Sequence, residues 1–201
     1  MTAVKICGIT RLEDAQAAVA LDVNAVGFVL WPGSPRHANL ADASNIIRML
    51  PPFVTPVGVF VDPTADDLAK AADAGLRLAQ VHGTVPSGRL RLPVLRAVHL
   101  SATAGEGIEP AVDDETVLLD AHDPVRHGGT GQTADWTRAR AIAATRRIVL
   151  AGGLTPANVG AAITAVKPYA VDVASGVETE PGIKDPLKLR AFINAVRGTG
   201  T

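Results

Sequence analysis

The sequence contains a single cysteine, Cys7, and few aromatic side chains. One cysteine excludes an intramolecular disulfide, which is typical of proteins that fold in a reducing compartment. Aromatic residues make up 3% of the chain and hydrophobic residues 47%, so the core must be built from aliphatic side chains and alanine. So apolar a composition excludes a disordered chain. A length of 201 residues with no evident linker predicts one domain over residues 1–201.

The chain also lacks an excess of either charge, with 19 Lys and Arg against 20 Asp and Glu. This balance argues against nucleic acid or an anionic membrane as a partner, so an anionic ligand would need a local site. No apolar run approaches the roughly 20 residues of a membrane helix. Charged residues from Lys5 to Asp14 interrupt any signal-peptide core. No His, Cys, Asp or Glu cluster has metal-ligand spacing. We therefore expect a cytoplasmic protein that uses no metal or other cofactor.

Short apolar segments alternate with helical patterns along the whole chain. The predicted strands are residues 4–7, 25–31, 55–61, 78–81, 94–100, 116–120, 147–151 and 170–174. The predicted helices are residues 13–21, 40–50, 63–74, 134–144, 156–166 and 186–196, with a weak helix after the fourth strand and no assignment for 102–114. Thr10, Thr155 and Asp185 are expected helix caps. This alternation predicts an α/β fold with a parallel sheet, and eight units favour a small, closed (β/α)8 TIM barrel with a degenerate helix 5. An open doubly wound sheet is the alternative.

A thiol and a carboxylate end two of the predicted strands. Cys7 ends the first predicted strand and Asp120 ends the sixth, and barrel enzymes place their chemistry at the carboxyl ends of their strands. One group of such a pair can take a proton while the other gives one. Lys5 shares a strand face with Cys7, and a nearby cation favours the thiolate. The alternatives are a small buried residue for Cys7 and a helix cap or arginine partner for Asp120.

Strands 1 and 8 become neighbours when the barrel closes, and each carries one charged residue. Neither Lys5 nor Asp172 would tolerate burial alone. We therefore predict that the two side chains pair inside the barrel.

Glycine-rich turns after the later strands suggest an anion site. Loops after strands 7 and 8 of barrels frequently bind phosphate, because glycine lets backbone N–H groups approach an anion. The candidates are Gly153, Ser175 and Gly176, with the loop of Gly129 and Gly131 able to close over the ligand; each glycine alone could equally form an ordinary turn.

Two further polar residues follow strands 2 and 4. Arg36 suits two-point recognition of a carboxylate, with a solvated loop arginine as the alternative. His82 could bind a ligand, shuttle protons or only satisfy its loop.

Taken in order, these segments resemble the N-(5′-phosphoribosyl)anthranilate isomerase family over nearly the whole chain. The matching motifs are K-I-C-G-I-T at 5–10, G-F-V at 27–29, S-P-R at 34–36, Q-V-H-G at 80–83, L-L-D at 118–120, G-G-T-G-Q-T at 128–133, A-G-G-L-T-P at 151–156, D-V-A-S-G-V-E at 172–178 and P-G-I-K-D at 181–185. The chain departs from the family at His37, where an aromatic or bulky residue is usual, and in the irregular stretch 100–114.

The resemblance implies an Amadori rearrangement in tryptophan biosynthesis without a cofactor. By this analogy Asp120 is the general acid and Cys7 the general base. Arg36 would bind the anthranilate carboxylate, and His82 would contact the substrate. The backbone around five residues would bind the phosphate: Gly129, Gly131, Gly153, Ser175 and Gly176. The implied partner is a small phosphosugar substrate, and the chain is expected to be a monomer or a homodimer.

Three alternatives remain at this point. Another phosphosugar isomerase or lyase barrel is the nearest, although the histidine-pathway isomerase uses two aspartates and position 7 here is cysteine. A non-catalytic barrel that binds phosphorylated metabolites would not need both Cys7 and Asp120. A redox sensor based on Cys7 would lack a resolving cysteine in this chain.

Overall fold

Eight parallel strands close into a barrel in chain order. The computed structural model describes residues 1–100, 116–120 and 136–200. The strands are β1 Ala3–Ile6, β2 Ala25–Val29, β3 Thr55–Val61, β4 Leu78–His82, β5 Val94–His99, β6 Thr116–Asp120, β7 Arg147–Ala151 and β8 Ala170–Val173. β8 pairs with β1 in parallel and completes the circle. The predicted barrel is confirmed, and the open-sheet alternative is wrong.

Six helices and a small hairpin complete the described fold. The helices are α1 Leu12–Val19, α2 Leu40–Ile47, α3 Ala65–Asp73, α4 Trp136–Ala143, α5 Val159–Val166 and α6 Pro186–Arg197. After β8 come a 3₁₀ turn, Ser175–Val177, and an antiparallel hairpin of β9 Glu178–Glu180 and β10 Ile183–Lys184. The sequence did not predict this hairpin. Among the described residues, no helix is both long and apolar enough to cross a membrane.

The fourth helical segment does not form. Residues 83–93, between β4 and β5, contain no helix, because Pro86 and Gly88 interrupt the only stretch available. The weak helix predicted there is therefore wrong. The region in which helix 5 was expected to be degenerate, 102–114, lies outside the described residues.

The helix caps were predicted with mixed success. Asp185 caps α6 by accepting from the backbone N–H groups of Leu187 and Lys188 at 2.8 and 3.2 Å. Thr10 does not cap α1, because its hydroxyl donates to the carbonyl oxygen of Gly182 in the hairpin at 2.6 Å. Thr155 is not a cap either: α5 begins later, at Val159.

Strand side chains alternate between two separate cores. One lies between the strands and the helices, and includes fully buried Phe28 and Phe192. The other fills the barrel interior; its members are Leu95, Ala97, Leu118, Val149, Ala151 and Ala170, with Ala3 and Leu78 against them. Strand residues two positions away share a face. Lys5, Gln80 and Asp172 therefore point into the barrel, and the residues after them reach its mouth.

The predicted pair inside the barrel is confirmed. Lys5 and Asp172 are register partners on β1 and β8, and the Lys5 Nζ lies 2.8 Å from the Asp172 Oδ2. Both side chains are buried. Because each charge would be costly to bury alone, the pair favours the closed arrangement in which β1 and β8 are adjacent.

Candidate active site

The predicted acid and base lie at the same end of the barrel. Cys7 follows β1 directly, and its backbone N–H donates to the Val173 carbonyl on β8 at 2.8 Å. Asp120 is the last residue of β6, with its side chain about a quarter exposed. Strands β2 to β5 separate them on one side of the circle and β7 and β8 on the other. The thiol and the carboxylate thus approach the mouth from different sides of the barrel.

The thiol of Cys7 is held in its protonated form more firmly than the sequence suggested. Burial raises the pKa of Cys7 and is the largest effect; Lys5 lowers that pKa, and Asp172 raises it again. The expectation that Lys5 would make the thiolate the favoured form is therefore wrong in its net direction. The main reason is burial of the thiol, which outweighs the charge of Lys5, and Lys5 is itself paired with Asp172 at 2.8 Å. Burial opposes the charge of Lys5, but Asp172 and Cys7 outweigh it and raise the pKa of Lys5.

A glycine on the neighbouring strand makes room for both side chains. A Cβ on Gly27 of β2 would lie 3.0 Å from the Cys7 Sγ, 3.0 Å from the Lys5 Cε and 3.1 Å from the Lys5 Nζ. Those distances are tighter than ordinary contacts. Gly27 therefore sets where the thiol and the ammonium group sit, a role that the sequence motif G-F-V alone did not reveal.

Arg36 packs against Gly8, next to Cys7 in the chain. Its Cδ would be 2.8 Å from a Cβ on Gly8, the residue after Cys7, and Gly8 has φ +76°. The guanidinium contacts Glu178 at two points, with Nε 3.0 Å from each carboxylate oxygen and Nη2 2.7 Å from Oε2. Glu178 was not identified from sequence, because its place in the motif does not show that the hairpin turns back towards β2.

Glu178 remains ionised although it is buried. Burial opposes its charge, but hydrogen bonds from Arg36 and Lys184 outweigh burial and lower the pKa of Glu178. The Lys184 Nζ lies 2.7 Å from the Glu178 Oε1, and both side chains are buried. The Glu178–Lys184 pair therefore holds the guanidinium of Arg36 in place.

The turns predicted to bind phosphate are in contact. A Cβ on Gly176 would lie 1.9 Å from the carbonyl oxygen of Leu154, so the turns after β7 and β8 touch at a point where only glycine fits. Gly153 has φ +64°, and a Cβ there would meet nothing within 4 Å. Ser175 is exposed at the start of the 3₁₀ turn. Gly129 and Gly131 lie outside the described residues.

His82, at the end of β4, belongs to a polar group inside the barrel. Burial lowers the pKa of His82 and favours the neutral ring, even though Asp120 acts in the opposite direction. Its Nε2 lies 3.0 Å from the Gln80 Nε2, and its ring centroid lies 5.8 Å from that of His99. The His99 Nδ1 is 4.0 Å from the Asp120 Oδ2. Gln80 and His99 were missed, although each is a polar residue at an inward strand position.

Two buried oxygens in this interior accept no hydrogen bond within the described residues. They are the Asp172 Oδ1 and the Gln80 Oε1. An unsatisfied buried acceptor is costly, so both oxygens suit a ligand that brings hydroxyl donors.

His37 diverges from its neighbour Arg36. It lines a cavity of about 330 Å³ beside the ends of β2 and β3, together with Trp31 and Phe60. Neither Cys7 nor Asp120 lines that cavity. In the described ranges 1–100, 116–120 and 136–200, no three His, Cys, Asp or Glu residues are grouped to hold a metal ion.

Comparison with known proteins decides the family. The family described as N-(5′-phosphoribosyl)anthranilate (PRA) isomerase matches residues 4–195. The chain belongs to this family. The curated relative from Geobacter sp. (strain M21), N-(5′-phosphoribosyl)anthranilate isomerase, is 48% identical over 96% of this chain and 97% of its own length. The resemblance drawn from the motifs is thereby confirmed, as is the enzyme class, an isomerase.

Solved structures of family members agree with the barrel. Phosphoribosyl anthranilate isomerase from Thermotoga maritima has a TM-score of 0.86 and 40% identity, covering 98% of this chain and 100% of that one. A second member was solved in complex with reduced 1-(o-carboxyphenylamino)-1-deoxyribulose 5-phosphate, with a TM-score of 0.82, 38% identity, and coverage of 98% and 100%.

Proposed function

We propose that this chain catalyses the Amadori rearrangement of N-(5′-phosphoribosyl)anthranilate to 1-(2-carboxyphenylamino)-1-deoxyribulose 5-phosphate in tryptophan biosynthesis. The observation that carries the proposal is the placement of the Cys7 thiol and the Asp120 carboxylate at one mouth of the closed barrel. Membership of the family, and a relative bound to the reduced product, support it.

The two groups suit the two proton transfers that this isomerisation needs. Protonated Asp120 donates to the ring oxygen as the C1′–O bond breaks, and the nitrogen lone pair forms the iminium. The thiolate of Cys7 then removes the C2′ proton. The electron pair of the broken C2′–H bond neutralises the iminium and gives the enolamine. Tautomerisation returns a proton to C1′ and forms the ketone. The rearrangement moves protons within one molecule and needs no oxidant, so a general acid and a general base are sufficient.

Binding away from the reacting carbons would supply the positioning. The touching turns at Gly153 and at Ser175 and Gly176 suit the phosphate, and Arg36 suits the anthranilate carboxylate. Binding energy from these remote groups orients the ribose between acid and base. His82, neutral through burial, and the unsatisfied Asp172 Oδ1 suit the ribose hydroxyls.

The experiment is a fluorescence assay of substrate loss. Phosphoribosylanthranilate is generated in place, and the purified chain is added in the presence of a chelator and without nucleotide. We expect rapid loss that Asp120→Asn lowers by about 10²-fold or more, as removal of a general acid does. Asp66→Asn, at an exposed residue of α3, is the control and should leave the rate unchanged. No turnover by the folded chain would refute the proposed reaction.

The oligomeric state is open between monomer and homodimer, and we propose the homodimer. A solved relative, 36% identical with a TM-score of 0.80, consists of monomers generated from the dimeric phosphoribosylanthranilate isomerase of Thermotoga maritima. In this chain Phe53 and Met49 are exposed hydrophobic residues near the start of β3, opposite the catalytic mouth. Light scattering should give twice the chain mass, and Phe53→Ser should reduce it to one. The mass of one chain at all concentrations would refute the dimer. The proposed cytoplasmic location is tested by cell fractionation.

A further inference from the structure

We propose that Glu178 and Lys184 are positioning residues that hold Arg36 in a charged cluster which the ring carboxylate of the substrate completes. The inference rests on the proposed function. It concerns the hairpin after β8, to which the sequence motifs gave no role.

Glu178 binds only one edge of the Arg36 guanidinium. Glu178 contacts the Nε and Nη2 groups, along one edge of the guanidinium. A guanidinium has five N–H donors, and the contacts of Arg36 within the described residues leave both Nη1 hydrogens available. Arg36 is about a quarter exposed, whereas Glu178 is buried. The protein therefore fixes the orientation of the fork and leaves its other edge for a ligand.

The ammonium group of Lys184 is surrounded by hydrogen-bond acceptors. Its Nζ lies 2.5 Å from the Cys7 carbonyl oxygen, 2.7 Å from the Glu178 Oε1 and 3.4 Å from the Ala174 carbonyl oxygen. Three acceptors around one nitrogen match the three donors of an ammonium group. Burial lowers the pKa of Lys184, and Glu178 works against that lowering. The three acceptors, one of them the Glu178 carboxylate, favour the buried ammonium form against that effect of burial.

The cluster of Arg36, Glu178 and Lys184 carries a net positive charge. Arg36 and Lys184 contribute two positive charges and Glu178 one negative charge, which leaves one positive charge in the cluster. Asp14 accepts from the Lys184 backbone N–H, but its charge is matched by Arg11 at 2.7 Å. An excess buried charge is costly until an anion joins it. A carboxylate on the free edge of Arg36 would make the cluster neutral.

Lys184 connects the proposed carboxylate and phosphate subsites. Through its ammonium group Lys184 contacts both the carbonyl of Cys7 and the carbonyl of Ala174, which precedes Ser175. The hairpin thus joins the carboxylate clamp, the end of the base-bearing strand and the turn proposed to bind phosphate. This explains why one short segment carries both a buried glutamate and a buried lysine.

The test compares two ligands that differ only in the carboxylate. One is reduced 1-(o-carboxyphenylamino)-1-deoxyribulose 5-phosphate, and the other is its anilino counterpart without the ring carboxylate. Inhibition constants are measured for the parent chain and for Lys184→Met, which removes the excess charge. Because the carboxylate would then join a cluster without an excess positive charge, we expect about tenfold or more weaker binding of the carboxylate ligand. Binding of the anilino ligand should change less than about twofold, which is within the usual scatter.

A second variant tests geometry without a change of charge. Glu178→Asp shortens the side chain and breaks the two-point contact with Arg36. It should weaken the carboxylate ligand selectively, and it answers the question if Lys184→Met does not fold. Glu180→Asp, at an exposed residue of the same hairpin, is the matched control and should change neither constant.

Two results would overturn the inference. Equal weakening of both ligands would assign the hairpin a structural role only, and no weakening would remove it from recognition altogether. Failure of the parent chain to bind either ligand or to turn over substrate would instead refute the proposed function, and the two failures are distinguished by the parent measurements alone.

Discussion

The reactivity of Cys7 is set by a few neighbours within the barrel. Burial and Asp172 raise the pKa of the thiol, and Lys5 lowers it. If the thiolate is the working base, kcat/KM should increase with pH, because the raised pKa leaves the base protonated below it. The position of that limb on the pH axis reports the raised pKa of the Cys7 thiol.

Asp172→Asn should move this limb to lower pH. The substitution keeps the shape of the side chain but removes the negative charge that raises the pKa of Cys7, and it leaves Lys5 free to stabilise the thiolate. The pH dependence of alkylation by iodoacetamide measures the thiol pKa directly, and kcat/KM should follow it. A shift to higher pH, or none, would contradict this assignment of charges.

Gly27→Ala should displace the base. The added Cβ would lie 3.0 Å from the Cys7 Sγ and from the Lys5 Cε, so both must move. Overpacking of this kind costs about 1–3 kcal/mol in the free energy of unfolding. We expect kcat/KM to fall by more than the loss of folded protein explains.

Gly160→Ala is the matched control for that substitution. A Cβ on Gly160 in α5 would make only ordinary contacts, at 3.6 Å or more. It should stabilise the chain by about 0.5–1 kcal/mol, the helix advantage of alanine over glycine. If the two variants had equal activity, the proposed role of Gly27 would be wrong.

At the residue scale the sequence predicted positions better than partners. Cys7 and Asp120 could be predicted because strand ends are visible in the alternation of apolar and polar residues. The Lys5–Asp172 pair could be predicted because closure of the barrel brings two known strands together. Glu178 could not be paired with Arg36, because residues 142 positions apart follow no spacing rule.

At the scale of elements, the hairpin and α6 form one unit at the mouth of the barrel. The Asp185 backbone N–H donates to the Val177 carbonyl at 2.9 Å, and its side chain caps α6. The N-terminus of the last helix is therefore fixed to the turn that precedes Glu178. Stability of this cap contributes to the order of the site.

Asp185→Ala should destabilise the fold modestly. The loss of an N-cap costs about 0.5–2 kcal/mol. Urea unfolding followed by circular dichroism measures the effect. Asp185→Asn, which caps equally well, should retain most of the stability. Equal losses in the two variants would show that the charge, not the cap, matters.

The elements themselves were largely predictable from sequence. All eight strands were found within one or two residues, because the apolar runs are short and separated by polar turns. The hairpin was missed, since β9 and β10 have three and two residues and carry no alternating pattern. The errors at Thr10 and Thr155 differ in origin: the Thr10 hydroxyl donates to the hairpin instead of capping α1, and α5 begins at Val159, beyond the reach of Thr155 as its cap.

At the scale of the whole molecule, the barrel is closed by strands that lie far apart in sequence. β1 and β8 meet along four register pairs, and the buried Lys5–Asp172 ion pair is one of them. The same pair lies next to Cys7, the proposed general base. The contacts that close the barrel therefore include side chains that surround Cys7.

Lys5→Met should destabilise the chain strongly. It leaves the Asp172 carboxylate buried without its cation, and such breaks cost about 3–5 kcal/mol. The double variant with Asp172→Asn should recover part of that loss, as urea unfolding will show. Because the pKa of Lys5 is raised, its contribution to stability is present at neutral pH and is lost as pH rises through the folded pKa. Additive losses in the double variant would contradict the coupling.

The most direct test of the central claim is the rate of isomerisation by Cys7→Ser. The variant keeps the size and place of the side chain but lacks a base of comparable strength. The account predicts folded protein with kcat lowered by about 10²–10⁴-fold and KM changed far less, as expected for loss of a general base. Full activity in this variant would contradict the assignment of Cys7, and with it the chemistry proposed for the barrel.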